Sequence, residues 1–126
     1  MFQSRVDLIL RGALDGLAAR HKLYVRNVAN AETPGFVPDE LPFEDQLRAI
    51  SETLRENPLT DIGSVTLPTV DAVSTPQTTG RGDENGVSID SQVMKFEENR
   101  LRYEALIQAA RTRHELLHTA ITESPR

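Results

Sequence analysis

Apolar positions recur at helical spacing at both ends of the chain. Leu10, Leu14, Leu17, His21, Tyr24, Val28 and Ala31 step alternately by four and three. That spacing draws a heptad seam along one side of an α-helix. Ile9, Ala13 and Ala18 widen the stripe. The pattern predicts a helix from Ser4 to about Glu32, stopping at Thr33 because Pro34 disfavours α geometry in the residue before it. Gly12 and Gly16 share one face of this helix. Either a neighbouring helix approaches closely there, or the chain tolerates a cost of about 1 kcal/mol per glycine.

The last third repeats the pattern. Val93, Phe96, Arg100, Tyr103, Ile107, Ala110, His114, Leu117 and Ile121 step by threes and fours without a break. Asp90 is the expected N-cap, its carboxylate facing the positive end of the helix, and Ser124-Pro125 ends the run. Between the two, Phe43, Leu47, Ile50 and Leu54 mark a short amphipathic helix with Pro42 near its first turn. From Pro58 to Gly86 the pattern disappears into Thr, Pro, Gly and acidic residues, which predicts a mobile loop or a weak strand pair. The expected fold class is mainly α: two long terminal helices packed as a coiled-coil-like hairpin, with a short helix and a loosely ordered middle loop. The expected organisation is a single domain over residues 1–126. It divides into an N-terminal helix (1–33), a turn, short helix and flexible middle (34–89), and a C-terminal helix (90–123).

Composition changes this picture in one respect. The chain has 126 residues, 38% hydrophobic and 5% aromatic, with no Trp, so a self-contained core is thinly filled. The apolar stripes are wider than a two-helix hairpin covers, which predicts that helices of other copies or other proteins cover the rest. Free subunits are then expected to leave their terminal helices partly disordered. The net charge of −5 is concentrated in residues 37–89, where ten acidic residues face three basic ones. No basic surface emerges, so nucleic acid is not an expected partner. No apolar run reaches the length of a membrane span, and the N-terminus lacks the pattern of a secretory signal. Cysteine is absent, which removes disulfides and thiolate metal sites.

The stretch HELLH, residues 114–118, matches the zinc-protease pattern H-E-x-x-H. That chemistry places two His on one helical face to bind the metal and uses the Glu to activate water. It also needs a third ligand. The usual downstream Gly and His positions hold Ile121 and Ser124, only eight residues follow His118, and His21 is the one other histidine. A helical reading accounts for the stretch: His114 falls on the seam, His118 on its flank, and Glu115 points outward. Catalytic residues, metal ligands and cofactors are therefore not expected. Arg81-Gly82-Asp83 spells an adhesion triplet, read here as ordinary turn chemistry. A small zinc hydrolase using His114, Glu115 and His118 remains a remote alternative, and a soluble helical-hairpin adaptor a nearer one.

The segment NVANAETPGF, Asn27 to Phe36, ends a helix and turns the chain. Asn27 and Asn30 place their amides three residues apart, within reach of backbone or a neighbour. In Thr33-Pro34-Gly35, proline presets φ and glycine admits positive φ, as a type II turn requires. Phe36 anchors the exit. The residues Asn27, Val28, Ala29, Asn30, Ala31, Thr33, Pro34, Gly35 and Phe36 closely resemble the N-terminal signature of the bacterial flagellar axial proteins, the rod and hook family. Its pattern runs N-(I/V)-A-N-A-x-T-P-G-(Y/F). The C-terminal helix resembles that of the same family, and EENRLRYEAL is similar to its proximal rod members, whose short length this chain shares. Glu32 departs from the usual Asn or Asp, and Phe36 from the commoner Tyr.

The resemblance implies a structural, non-enzymatic subunit of the proximal rod, a helical driveshaft in the periplasm that transmits torque for motility. It implies contacts with copies of itself and other rod proteins, and with adaptor and membrane-ring proteins at the rod base. It also implies passage through the flagellar type III export apparatus without a cleaved signal. The expected assembly seams are Leu10, Leu14, Leu17, Tyr24 and Val28 on the first helix, and Val93, Phe96, Tyr103, Ile107, Ala110, Leu117 and Ile121 on the last.

Overall fold

Ser4 starts the first helix, α1 (Arg5–Ala29), by a reciprocal cap. Its hydroxyl oxygen accepts the Asp7 N–H at 3.1 Å, while the Asp7 carboxylate accepts the Ser4 N–H at 3.1 Å. The computed structural model describes residues 4–67, 73–74 and 89–123. After α1 come β1 (Asp39–Glu40), α2 (Glu44–Glu56), a 3₁₀ turn (Ile62–Ser64), β2 (Val73–Ser74) and α3 (Ile89–Thr122). The fold is mainly helical, as the periodicity predicts.

The two terminal helices pack along each other in opposite directions. Arg113 meets Asp7, Asn99 meets Leu17, His21 meets Phe96, and Asn27 meets Gln92. At 1.5 Å per residue, the 25 residues of α1 span about 37 Å and the 34 of α3 about 51 Å. The longer helix therefore overruns its partner.

α2 forms where Phe43, Leu47, Ile50 and Leu54 predict it. Phe43 stands at its N-cap, and Leu47 and Leu54 are buried. Leu17, Leu41, Phe43 and Leu47 form the core, with Ala13, Leu23, Tyr103 and Leu106 packed around them. The glycine pair on α1 is the reason α2 comes so close. A Cβ on Gly16 would stand 2.6 Å from ring carbons of Phe43, and one on Gly12 would stand 2.7 Å from a Leu47 methyl. Close approach is thus the reading that fits these glycines.

Two boundaries differ from expectation. α1 ends at Ala29 rather than Glu32, because Asn30 intervenes before Pro34 acts: its side-chain amide donates to the Arg26 carbonyl at 2.8 Å, and its own N–H donates to the same oxygen at 3.1 Å. Asp90 lies inside the first turn of α3 and is not its cap, although its charge still faces the favourable end of the helix. The strand pair forms between the exit of the turn and the middle segment, Asp39 opposite Ser74 and Glu40 opposite Val73. Most of the expected loop, with Arg81-Gly82-Asp83, lies outside the described residues.

Candidate functional site: the turn segment and the assembly faces

The turn segment works as a joint. Asn27 is fully buried. Its amide donates to the Asp39 carbonyl at 2.9 Å and to Gln92 Oε1 at 3.1 Å, while its own oxygen accepts the Asp39 N–H at 3.2 Å. One carboxamide therefore pairs with both backbone groups of a strand residue, as a neighbouring strand would, and also ties α1 to α3. Asn27 and Gln92 are 0% and 1% exposed, so their bond is shut away from solvent, while Asp39 stays half-buried. Arg26 reinforces it with an ion pair to Asp39, and Lys95 pairs with Glu40 at 2.5 Å.

Past Asn30 the chain turns as the sequence requires. The Thr33 N–H donates to the Asn30 carbonyl at 2.9 Å, and the Phe36 N–H donates to the Thr33 carbonyl at 3.1 Å. Gly35 has φ +74°, and among the described residues no other has positive φ. Ala31 is buried although it lies beyond the helix, and Phe36 is half-buried.

A second joint lies where α2 begins against α1. The Arg20 guanidinium lies 4.4 Å over the Phe43 ring, donates twice to the Leu41 carbonyl, and grips both carboxylate oxygens of Glu44 at 2.6 Å. Partial burial pushes the Glu44 carboxyl up, but the hydrogen bond and charge of Arg20 outweigh it and the net shift is downward. Burial raises the Tyr24 phenol.

The expected seam residues divide into three groups. Leu17 and Tyr24 are buried within the chain; Leu10, Leu14, Val28, Phe96, Tyr103, Ile107 and Ala110 are half-buried. Val93, Leu117 and Ile121 are exposed. The seam by which α3 meets α1 passes through Gln92, Phe96, Asn99, Tyr103, Leu106 and Arg113. Asn99 donates to the Leu17 carbonyl at 3.0 Å. Arg100, assigned to the seam by spacing, instead faces out between Glu97 and Glu104. Sequence reasoning missed Arg20, Gln92 and Asn99 because the periodicity counts apolar positions only. These polar residues nevertheless obey the same spacing as the apolar ones beside them.

Contact between the helices ends at Arg113, which donates to Asp7 at 2.9 Å and to the Ser4 hydroxyl at 2.8 Å. The Ser4 hydroxyl and then Arg113 hold the Asp7 carboxyl down at about 2. Beyond this point residues 114–122 project for roughly 13 Å, exposed throughout. Leu117 and Ile121 continue the inward face of α3 where α1 no longer covers it. Leu14, Ile107, Ala110 and His114 line a shallow apolar recess of about 340 Å³ at the root of this projection.

His114, Glu115 and His118 all sit on the exposed projection. His21 stacks on Phe96 with ring centroids 4.5 Å apart, about 27 Å along α3 from His114. The third histidine therefore does not join the other two. No group of three or more His, Cys, Asp or Glu side chains converges on a cation site among the described residues. No described helix is long and apolar enough to cross a membrane.

Along nearly its whole length the chain is similar to a flagellar rod protein. The flagellar basal body rod protein FlgB of Bacillus subtilis (strain 168) is 26% identical over 117 residues, covering 90% of each chain. The similarity to FlgB thus extends through the middle segment, beyond the two ends whose motifs carry the resemblance. No family model matches the chain.

Proposed function

We propose that this chain is a structural subunit of the proximal rod of a bacterial flagellar basal body. It assembles through its terminal helices with copies of itself and other rod proteins into the driveshaft. The observation that carries the reading is the similarity to FlgB across 90% of both chains. The geometry supports it in a second way. α3 presents an apolar face past the end of α1, which a repeating neighbour would cover, and repeated contacts that do not close make a filament. In this reading the rod base supplies adaptor and membrane-ring contacts, and the flagellar type III apparatus exports the chain. The subunit has no catalytic role.

Deleting the gene tests this directly. Loss of the rod and of motility, restored by the intact chain and by His114→Ala, is the expected result. Rods that persist after deletion would favour a helical-hairpin adaptor, and a His114→Ala variant that fails to restore motility would reopen a role for HELLH. A map of the isolated basal body should place the chain at the base of the rod.

A further inference from the structure

A rod subunit has no use for HELLH as an enzyme, yet the fold sets its two histidines apart. Contact between α1 and α3 ends at Arg113. His114 and His118 stand one turn apart just beyond it, both exposed. Among the described residues neither imidazole has a hydrogen-bond, ion-pair or ring partner, whereas His21 is stacked on Phe96.

Residues four apart on a helix differ by about 40° in direction and about 6 Å in height, with Cβ atoms about 5–6 Å apart. Helical side chains lean toward the N-terminus, so His118 leans back over the turn that carries His114. Two imidazole nitrogens about 3 Å apart can share one metal ion at roughly 2.0–2.1 Å from each. Ordinary helix geometry permits this here, and because both residues are exposed no packing has to give. Imidazole suits Cu²⁺, Ni²⁺ and Zn²⁺, whereas Mg²⁺ and Ca²⁺ take oxygen ligands.

The same turns lack support from the rest of the fold. Beyond Arg113 the described hydrogen bonds lie within α3 and its end: the Thr122 hydroxyl donates to the His118 carbonyl at 3.0 Å, and the Glu123 N–H donates to the Thr119 carbonyl at 2.9 Å. Uncovered helix ends open most easily. A chelate joining residue 114 to residue 118 spans one hydrogen-bonded turn and must break before that turn opens.

We propose that His114 and His118 together chelate one divalent transition ion of the Zn²⁺, Ni²⁺ or Cu²⁺ class, and that the ion clips the overhanging end of α3. No third imidazole or carboxylate converges on the pair among the described residues, so the remaining coordination positions fall to water. That makes the ion exchangeable and sets the pair apart from a zinc-protease centre, which has three protein ligands. The inference is independent of the rod reading: His114→Ala removes the clip and is still expected to restore motility.

Isothermal titration calorimetry of the full-length, untagged chain with ZnCl₂ and with NiCl₂ tests the chelate. The expected result is one ion per chain, with no binding of MgCl₂. Removing a residue that merely orients a metal ligand costs about 10–100-fold in affinity, so His114→Ala and His118→Ala should each weaken binding by about tenfold or more. His118→Thr combined with Thr119→His keeps the composition but sets the two rings about 140° apart. It should bind as weakly as the single variants, and circular dichroism at 222 nm checks that each variant keeps its helix. Saturating zinc should slow hydrogen exchange of the amides of residues 118–122 by about tenfold or more in the parent, and by less than about twofold in the swapped variant. Absence of binding overturns the proposal. So does equal affinity of the parent and the swapped variant, which would mean adventitious binding to single imidazoles only. Binding without added protection of residues 118–122 overturns the clip.

Discussion

Gly16→Ala sets two effects of similar size against each other. Alanine is favoured over glycine inside a helix by about 1 kcal/mol, and on an open face the change would stabilise α1. Position 16 is not open. The new Cβ would lie 2.6 Å from Cγ and Cδ2 of Phe43 and 2.8 Å from Cδ1, and ordinary carbon contacts begin near 3.5 Å. The ring must therefore retreat by about 1 Å. Phe43 is 3% exposed, carries the Arg20 guanidinium on its face, and is held at the first turn of α2. Overpacking of this kind costs roughly 1–3 kcal/mol, so the expected net loss is about 1–2 kcal/mol and the expected fall in Tm several degrees. Gly12→Ala is the internal control. Its obstacles are terminal methyls of Leu47 and Leu67, which swing aside, so its stability should match or slightly exceed that of the parent. Urea denaturation followed by circular dichroism at 222 nm reads both. Phe43→Leu should relieve the clash, making the double variant less destabilised than the two singles combined, with a coupling of at least about 0.5 kcal/mol. A Gly16→Ala protein as stable as Gly12→Ala would refute the claim that α2 owes its position to this glycine.

Asn27→Ala should lower stability by about 1–3 kcal/mol, since it strands Gln92 in a buried position and the Asp39 N–H and carbonyl in a partly buried one; the same melts measure it. Asp7 contributes stability that is complete above the ordinary carboxylate range and is lost as pH falls through about 2. Its side chain is 39% exposed, so screening leaves about 1 kcal/mol or less, and the Tm gap between the parent and Asp7→Asn should be present at pH 6 and closed near pH 2. Leu117→Asp and Ile121→Asp should leave the melt of the isolated chain within about 0.5 kcal/mol, because neither is covered, yet abolish motility in complemented cells. Leu14→Asp and Ile107→Asp should also block assembly, and because both are half-buried they should weaken the isolated chain as well.

The existence and type of all three helices were legible because each carries apolar positions at helical spacing, and the Thr33–Phe36 turn because only glycine takes Gly35's φ cheaply. The joints were not legible, for a physical reason. Arg20, Asn27 and Asn99 bond to main-chain atoms of Leu41, Asp39 and Leu17, and main-chain groups look alike at every position of a sequence. Asn27 could be singled out by its place in a repeated Asn-Ala pattern, but its partner could not be named. Arg20 had a usable signal, since it lies one helical turn beyond Gly16 on the glycine face. The end of α1 lies ahead of the proline because Asn30 closes the helix first.

The grip of Asn27 on Asp39 has an evolutionary corollary. A clasp that closes on the peptide unit is indifferent to what hangs from the α-carbon. Substitutions at position 39 would forfeit the Arg26 ion pair but keep the clasp, with proline the exception because it lacks the N–H that Asn27 accepts. Position 39 is therefore the permissive half of the clasp and position 27 the exacting one.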